Sequence, residues 1–94
     1  MPKIEYKVEG GKLIKVQLEM SNERISKIKI TGDFFMHPEE LIEKLEASLI
    51  GCKPDRNSLE RTLNEFVEEN GIVLLGISVE DLIKCIMKAC ENFG

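Results

Sequence analysis

Along the first third of the chain, apolar and polar residues alternate with a period of two. Ile4, Tyr6 and Val8 alternate with Glu5, Lys7 and Glu9, the pattern of a strand with one buried face. Gly10-Gly11 follows and reads as a two-residue hairpin turn. From Leu13 to Met20, Ile14, Val16, Leu18 and Met20 face one way and Lys15, Gln17 and Glu19 the other. Ser21-Asn22-Glu23 is a second turn signal. A third strand runs from about residue 24 to 31, with Ile28 and Ile30 inward and Lys27 and Lys29 outward. The three make an antiparallel meander with one apolar and one solvated face.

After Gly32 the period lengthens to that of a helix. Pro38 suits the first position of a helix, with Glu39 and Glu40 favoured by the dipole of its first turn. Met36 and Leu41 can staple a cap at His37. Leu41, Leu45 and Leu49, widened by Ile42, form the apolar stripe, and Gly51 ends it. A second helix is predicted over residues 57–70. Asn57 and Glu60 resemble a capping box, Leu59, Leu63, Phe66 and Val67 form the buried face, and Gly71 closes the helix. The run 72–77 reads as a short apolar connector tucked against the core. Ser78 with Asp81 opens a last helix, stapled by Ile77 and Leu82 and buried through Leu82, Ile83, Ile86, Met87 and Cys90. Strands first and helices after make an α+β fold: a three-stranded antiparallel meander with helices packed on one face. It reads as a single domain over 1–94, with strands in about 4–31 and helices in about 38–91.

Composition narrows the function. The 94 residues are 43% hydrophobic and 32% charged, with a net charge of −4. That is enough for one core but not for a deep enclosed substrate cavity as well. The acidic balance argues against a nucleic-acid partner. No apolar run approaches the roughly 20 residues that span a bilayer, and the first residues lack a signal-peptide core. Three irregularly spaced cysteines are no disulfide framework and point to a reducing cytoplasm.

The chemistry-bearing residues are sparse. Cys85 and Cys90 lie about 140° apart around one helix, a poor arrangement for two ligands of one metal. Only Cys52 falls in a loop, so the thiols read as small packed hydrophobes rather than as a metal site. His37, the one histidine, is of a residue type that serves as a general base but has no nucleophile beside it, and reads as a capping or surface residue. The adjacent pairs Glu39-Glu40 and Glu68-Glu69 diverge around their helices and suit solvent. Lys12, Lys15, Lys27 and Lys29 are outward lysines that keep a sheet soluble, with a phosphate contact as the sharper reading for one of them. Gly10-Gly11 joins strands and forms no phosphate loop. The segment from Thr31 to Met36 supports two readings: a capped junction with two core aromatics, or an exposed contact loop in which one phenylalanine packs inward and its neighbour projects.

Several of these segments together resemble a known family. Residues 11–16 (Gly-Lys-Leu-Ile-Lys-Val) and 24–30 (Arg-Ile-Ser-Lys-Ile-Lys-Ile) carry it, with Gly32-Asp33-Phe34-Phe35, Pro38-Glu39 and Leu49-Ile50-Gly51. They resemble the C-terminal accessory domain of lipoate–protein ligases, collinearly from about Tyr6 to about Leu63. The tail from Gly71 to Ile86, with Gly76-Ile77-Ser78, resembles archaeal-type members that encode this domain as a separate small subunit. The resemblance implies a catalytic subunit that binds lipoate, ATP and magnesium, makes lipoyl-adenylate and passes the lipoyl group to a lipoyl domain or H protein. The accessory domain implied is a mobile lid, needed for adenylation, inactive alone and binding no cofactor itself. No catalytic or metal-ligating residue carries over. Asp33, Phe34 and Phe35, and then Lys12, are the contact residues it suggests, toward the partner or the adenylate.

The fold layout also resembles iron–sulfur scaffold and sulfur-acceptor proteins, which work through loop-borne cysteines; here only Cys52 is so placed. A binding module without an enzymatic partner is the third reading.

Overall fold

The structure is a computed structural model that describes residues 3–7 and 12–91, the first of these segments as backbone alone. Strands β1 (Lys3–Lys7), β2 (Leu13–Ser21) and β3 (Arg24–Gly32) pair antiparallel in the order β1-β2-β3. The meander read from the alternation is present, with Ile14, Val16 and Leu18 fully buried. Val8 and the Gly10-Gly11 turn lie outside the described residues.

The turn from β2 to β3 has two residues, Asn22 and Glu23, with φ of 54° and 62°. Positive φ at both positions is the geometry whose twist matches a hairpin. Asn tolerates it well; Glu carries a Cβ penalty there. A bulge follows, since Glu19 pairs with Lys27 but Met20 with Ile25. Ser26 is the extra residue, and its hydroxyl donates to the Glu19 carbonyl at 3.1 Å. The bulge resets the alternation, so Ile25 joins Ile28 and Ile30 inside.

β3 is an edge strand, and its open side is partly covered. Ile30 N–H donates to the Glu46 carboxylate at 2.7 Å. Ile25 N–H donates to the Cys52 carbonyl at 3.0 Å, and Gly51 N–H returns to the Ile25 carbonyl at 2.7 Å. Together these satisfy edge groups that would otherwise invite another strand.

Helices α1 (Ile42–Leu49), α2 (Arg56–Asn70) and α3 (Val79–Glu91) form the second layer. α3 lies across β1 and β2, and α1 across β3. Their inward residues Leu45, Leu49, Leu59, Leu63, Leu82, Ile83 and Ile86 close the core over the sheet. Gly71 ends α2 in the left-handed conformation (φ 59°), which places its N–H on the carbonyls of Val67 and Glu68. Ser78 and Asp81 cap α3 reciprocally: Asp81 N–H donates to Ser78 Oγ at 3.2 Å, and Ser78 N–H to Asp81 Oδ2 at 2.9 Å. Arg56 forks onto Glu80 with two 2.7 Å bonds, which pull Arg56 upward and Glu80 downward in pKa and tie the start of α2 to that of α3.

Three boundaries differ from the sequence reading. His37 does not cap a helix; it sits in a strand, β4 (Phe35–His37). Pro38 is extended (φ −68°, ψ 136°), Glu39–Leu41 form a 3₁₀ turn, and α1 begins only at Ile42. The chain stays extended there because β4 has a tertiary partner. The cap of α2 is Asp55, not Asn57: its carboxylate accepts from Ser58 N–H at 2.7 Å, which lowers its pKa. The run 72–77 is not a plain connector either. It contains β5 (Val73–Leu75), which pairs antiparallel with β4 as a separate two-stranded ribbon.

The edge bond and the turn give two stability predictions of opposite sign. Glu46→Ala removes the acceptor at Ile30 and should cost roughly 1–3 kcal/mol. Glu23→Gly relieves the positive φ and should stabilise by about 0.5–1 kcal/mol. Urea denaturation midpoints of the two variants against the parent check both.

Candidate functional site

The ribbon is where the chain leaves apolar surface uncovered. Phe35 pairs with Leu75, Met36 with Leu74 and His37 with Val73. Directly opposed residues of an antiparallel pair share a face. Met36 and Leu74 therefore point to one side, where Met36 is buried and Leu74 half-buried against the core. Phe35, Leu75, Val73 and His37 point to the other. Phe35 is 70% exposed, Leu75 57% and Val73 50%. Among the described residues only one other large apolar side chain is exposed, Ile50 at the end of α1, at 47%. A clustered apolar face of this kind marks an interaction site more often than scattered exposed residues do.

The four residues singled out from the sequence converge at one end of this ribbon. Phe34 packs partly buried against the core and lines a groove of about 230 Å³ with Thr31, Gly32, Met36, Glu39 and Ile42. Phe35 projects outward beside it. Asp33 is exposed, and its N–H donates to the Leu13 carbonyl at 2.8 Å. Gly32 allows that approach, since a Cβ there would overlap the Leu13 carbonyl oxygen. Lys12 is joined to the same end through Gly76, after β5. A Cβ on Gly76 would lie 3.2 Å from Lys12 Cε and 3.4 Å from its Cγ and Cδ. The lysine stem thus lies along the backbone next to Leu75, its charge free to reach water.

Sequence reasoning missed Val73 and Leu75. A signal was available: Ile72, Val73, Leu74 and Leu75 are consecutive apolar residues. In an extended segment such a run buries one alternate set and exposes the other unless both faces are covered. Only Ile72 among them is fully inside.

The thiols lie elsewhere. Cys85 is buried with its Sγ 3.8 Å from the Ile14 carbonyl, and burial pushes its pKa up to about 11. Cys90 is likewise raised to about 11, mainly by burial and then by the neighbouring Cys52. Cys52 is half-buried, with its Sγ 3.7 Å from Thr62 Oγ1. The described residues contain no group of three or more His, Cys, Asp or Glu suited to a metal ion. A larger open hollow, about 670 Å³, lies between the β2–β3 turn and the loop before α2. It is lined by charges of both signs, including Glu23, Arg24, Lys53 and Asp55. None of its described helices is long and apolar enough to cross a membrane.

Comparison with known proteins then decides the family. The family model for the C-terminus of bacterial lipoate protein ligase matches residues 3–86. The chain belongs to that family. Within it, this lipoate ligase C-terminal domain is 36% identical over 84 residues to lipoate-protein ligase A subunit 2 of Thermoplasma acidophilum. The match covers 86% of this chain and 82% of that one. The fold superposes with a TM-score of 0.74, at 31% identity, on a solved chain from an archaeal lipoylation system of the same organism. That match covers 89% of this chain and 96% of the other. The solved system is described as a bi-partite lipoate protein ligase and its E2 lipoyl domain.

The raised thiol pKa values predict chemistry that can be measured. At pH 8 Cys85 and Cys90 stay protonated, so iodoacetamide should modify both far more slowly in the folded protein than in urea. Their rates should climb only as the pH rises toward about 11. Mass spectrometry of the alkylated peptides checks this.

Proposed function

We propose that this chain is the accessory subunit of a two-part lipoate–protein ligase. It acts with a separate catalytic subunit in the ATP-dependent activation of lipoate to lipoyl-adenylate. The observation that carries the reading is its near full-length match to a relative that is itself named as a second subunit. ATP, magnesium and lipoate belong to the complex through its catalytic subunit. The ribbon does not fit a magnesium-bound triphosphate, which needs several donors and carboxylate ligands; it offers an apolar face, one histidine and a flanking lysine. The acceptors of the lipoyl group are lipoyl domains or H proteins, and the site of action is the cytoplasm.

The physical role is that of a cover. An acyl-adenylate is destroyed by water, and closure of a second body over it excludes solvent and completes the site. The chain's own residues contribute positioning: an apolar face to dock by, a rigid two-layer core behind it and a glycine-tight junction at Gly32 that fixes where Phe35 stands. An iron–sulfur scaffold would instead depend on Cys52.

Lipoate-dependent ATP–pyrophosphate exchange by the cognate catalytic subunit tests the reading. Exchange should require this chain, and Cys52→Ser should support it undiminished. A catalytic subunit that adenylates lipoate equally well alone would overturn the accessory role.

A further inference from the structure

We infer that the outward face of the ribbon, built by Phe35, Leu75, Val73 and His37, is the seat of the catalytic subunit. The surface it meets there is an apolar socket with a lysine- or arginine-rich rim. This rests on the accessory-subunit reading and adds to it where and by what chemistry the two subunits join.

The face is costly to leave in water. Phe35, Val73 and Leu75 account for three of the four large apolar side chains left exposed among the described residues. Burial of such side chains is the main source of stability in a folded chain, and these three forgo it. The same ribbon could have carried threonines outward with no loss of strand propensity. Its backbone is also well placed to hold a docking face still. Met36 and Leu74 anchor it beneath, β4 leads directly out of the meander through Gly32, and β5 leads directly into the capped start of α3.

The charges around the face point to its occupant. Asp33 lies two residues before Phe35, and Glu39 and Glu40 follow His37 within three; all three acids are exposed. Glu39, Glu40 and Glu43 also line one open hollow on this flank. Lys12 is the positive charge at the Leu75 end. In a two-fold pair of this chain each patch would face its own image. An apolar face flanked by three acids and one lysine would then bring together a net excess of like charge, in a chain already at −4. A different protein whose socket is rimmed by cations gains from the same charges through steering and register. The two-part assembly described for the structural relative supplies a partner of a second kind.

The test is calorimetric titration of the cognate catalytic subunit with four forms of the chain. They are the parent, the double variant Phe35→Thr and Leu75→Thr, the double variant Glu39→Lys and Glu40→Lys, and Ile50→Ser. Threonine keeps strand propensity, and the lysine variant leaves the ribbon itself intact. The threonine pair should weaken binding by roughly a hundredfold, at about 1.5 kcal/mol per side chain. The lysine pair should weaken it by about tenfold at low salt and less at high salt. Ile50→Ser should bind like the parent.

Parent-like affinity of either double variant, or equal loss with Ile50→Ser, overturns the seat. So does sedimentation showing that the chain dimerises and that the threonine pair makes it monomeric. The two readings fail separately. If the parent stimulates exchange while the ribbon variants bind normally, the seat falls and the accessory role stands. If the parent binds through the ribbon without stimulating exchange, the accessory role falls and the seat stands.

Discussion

The pairing of Phe35–His37 with Val73–Leu75 joins parts of the chain some forty residues apart, the exit of the meander and the entry of the last helix. Because side chains alternate across a strand, the pairing cannot bury one set without presenting the other. Met36 and Leu74 go to the core, and Phe35, Leu75 and Val73 are committed to the outside. Gly32 holds this arrangement in place, since its backbone comes so close to Leu13 that no side chain would fit. The exposed face is therefore a consequence of the topology, and its orientation relative to the core is set by both ends of the ribbon.

Behind the ribbon, stability is assembled from complementary satisfaction of edges and ends. Glu46 and the Gly51–Cys52 backbone answer the outer edge of β3. Asp55 and the Ser78–Asp81 box answer the first amides of α2 and α3. The Arg56–Glu80 fork links two helix starts at the surface, where solvent screening keeps its contribution small. Burial holds Cys85 and Cys90 as neutral thiols. A rigid body with one uncovered apolar face suits a subunit that works by closing on another protein, since ordering costs are already met before contact.

The sequence made the meander legible because Ile14, Val16 and Leu18 alternate without interruption and all sit inside. It also revealed the Ser78–Asp81 box and the Gly71 stop, whose signals are local. What it hid depended on distant partners. Ser26 shifts the register of β3, so Ile25 becomes core although its parity disagrees with Ile28 and Ile30. Pro38-Glu39-Glu40 has the residues of a helix start, yet the segment before it is held extended by β5. Asp55, sitting just after Pro54, outcompetes Asn57 as the cap because its carboxylate reaches Ser58 N–H. Of the candidate residues, Asp33, Phe34 and Phe35 are legible as one junction, whereas Lys12 is legible only as an outward lysine, and its place beside Gly76 comes from the fold. Val73 and Leu75 carry only the signal of their unbroken apolar run, and which alternate set faces outward is decided by the distant pairing with β4.

The most direct measurement of the central claim is an NMR titration of methyl-labelled chain with the cognate catalytic subunit. With the catalytic subunit seated on the ribbon, the Val73 and Leu75 methyl signals should shift or broaden first and most, while Ile50, the exposed apolar residue away from the ribbon, stays in place. A titration in which Ile50 responds and Val73 and Leu75 keep their free positions would contradict it.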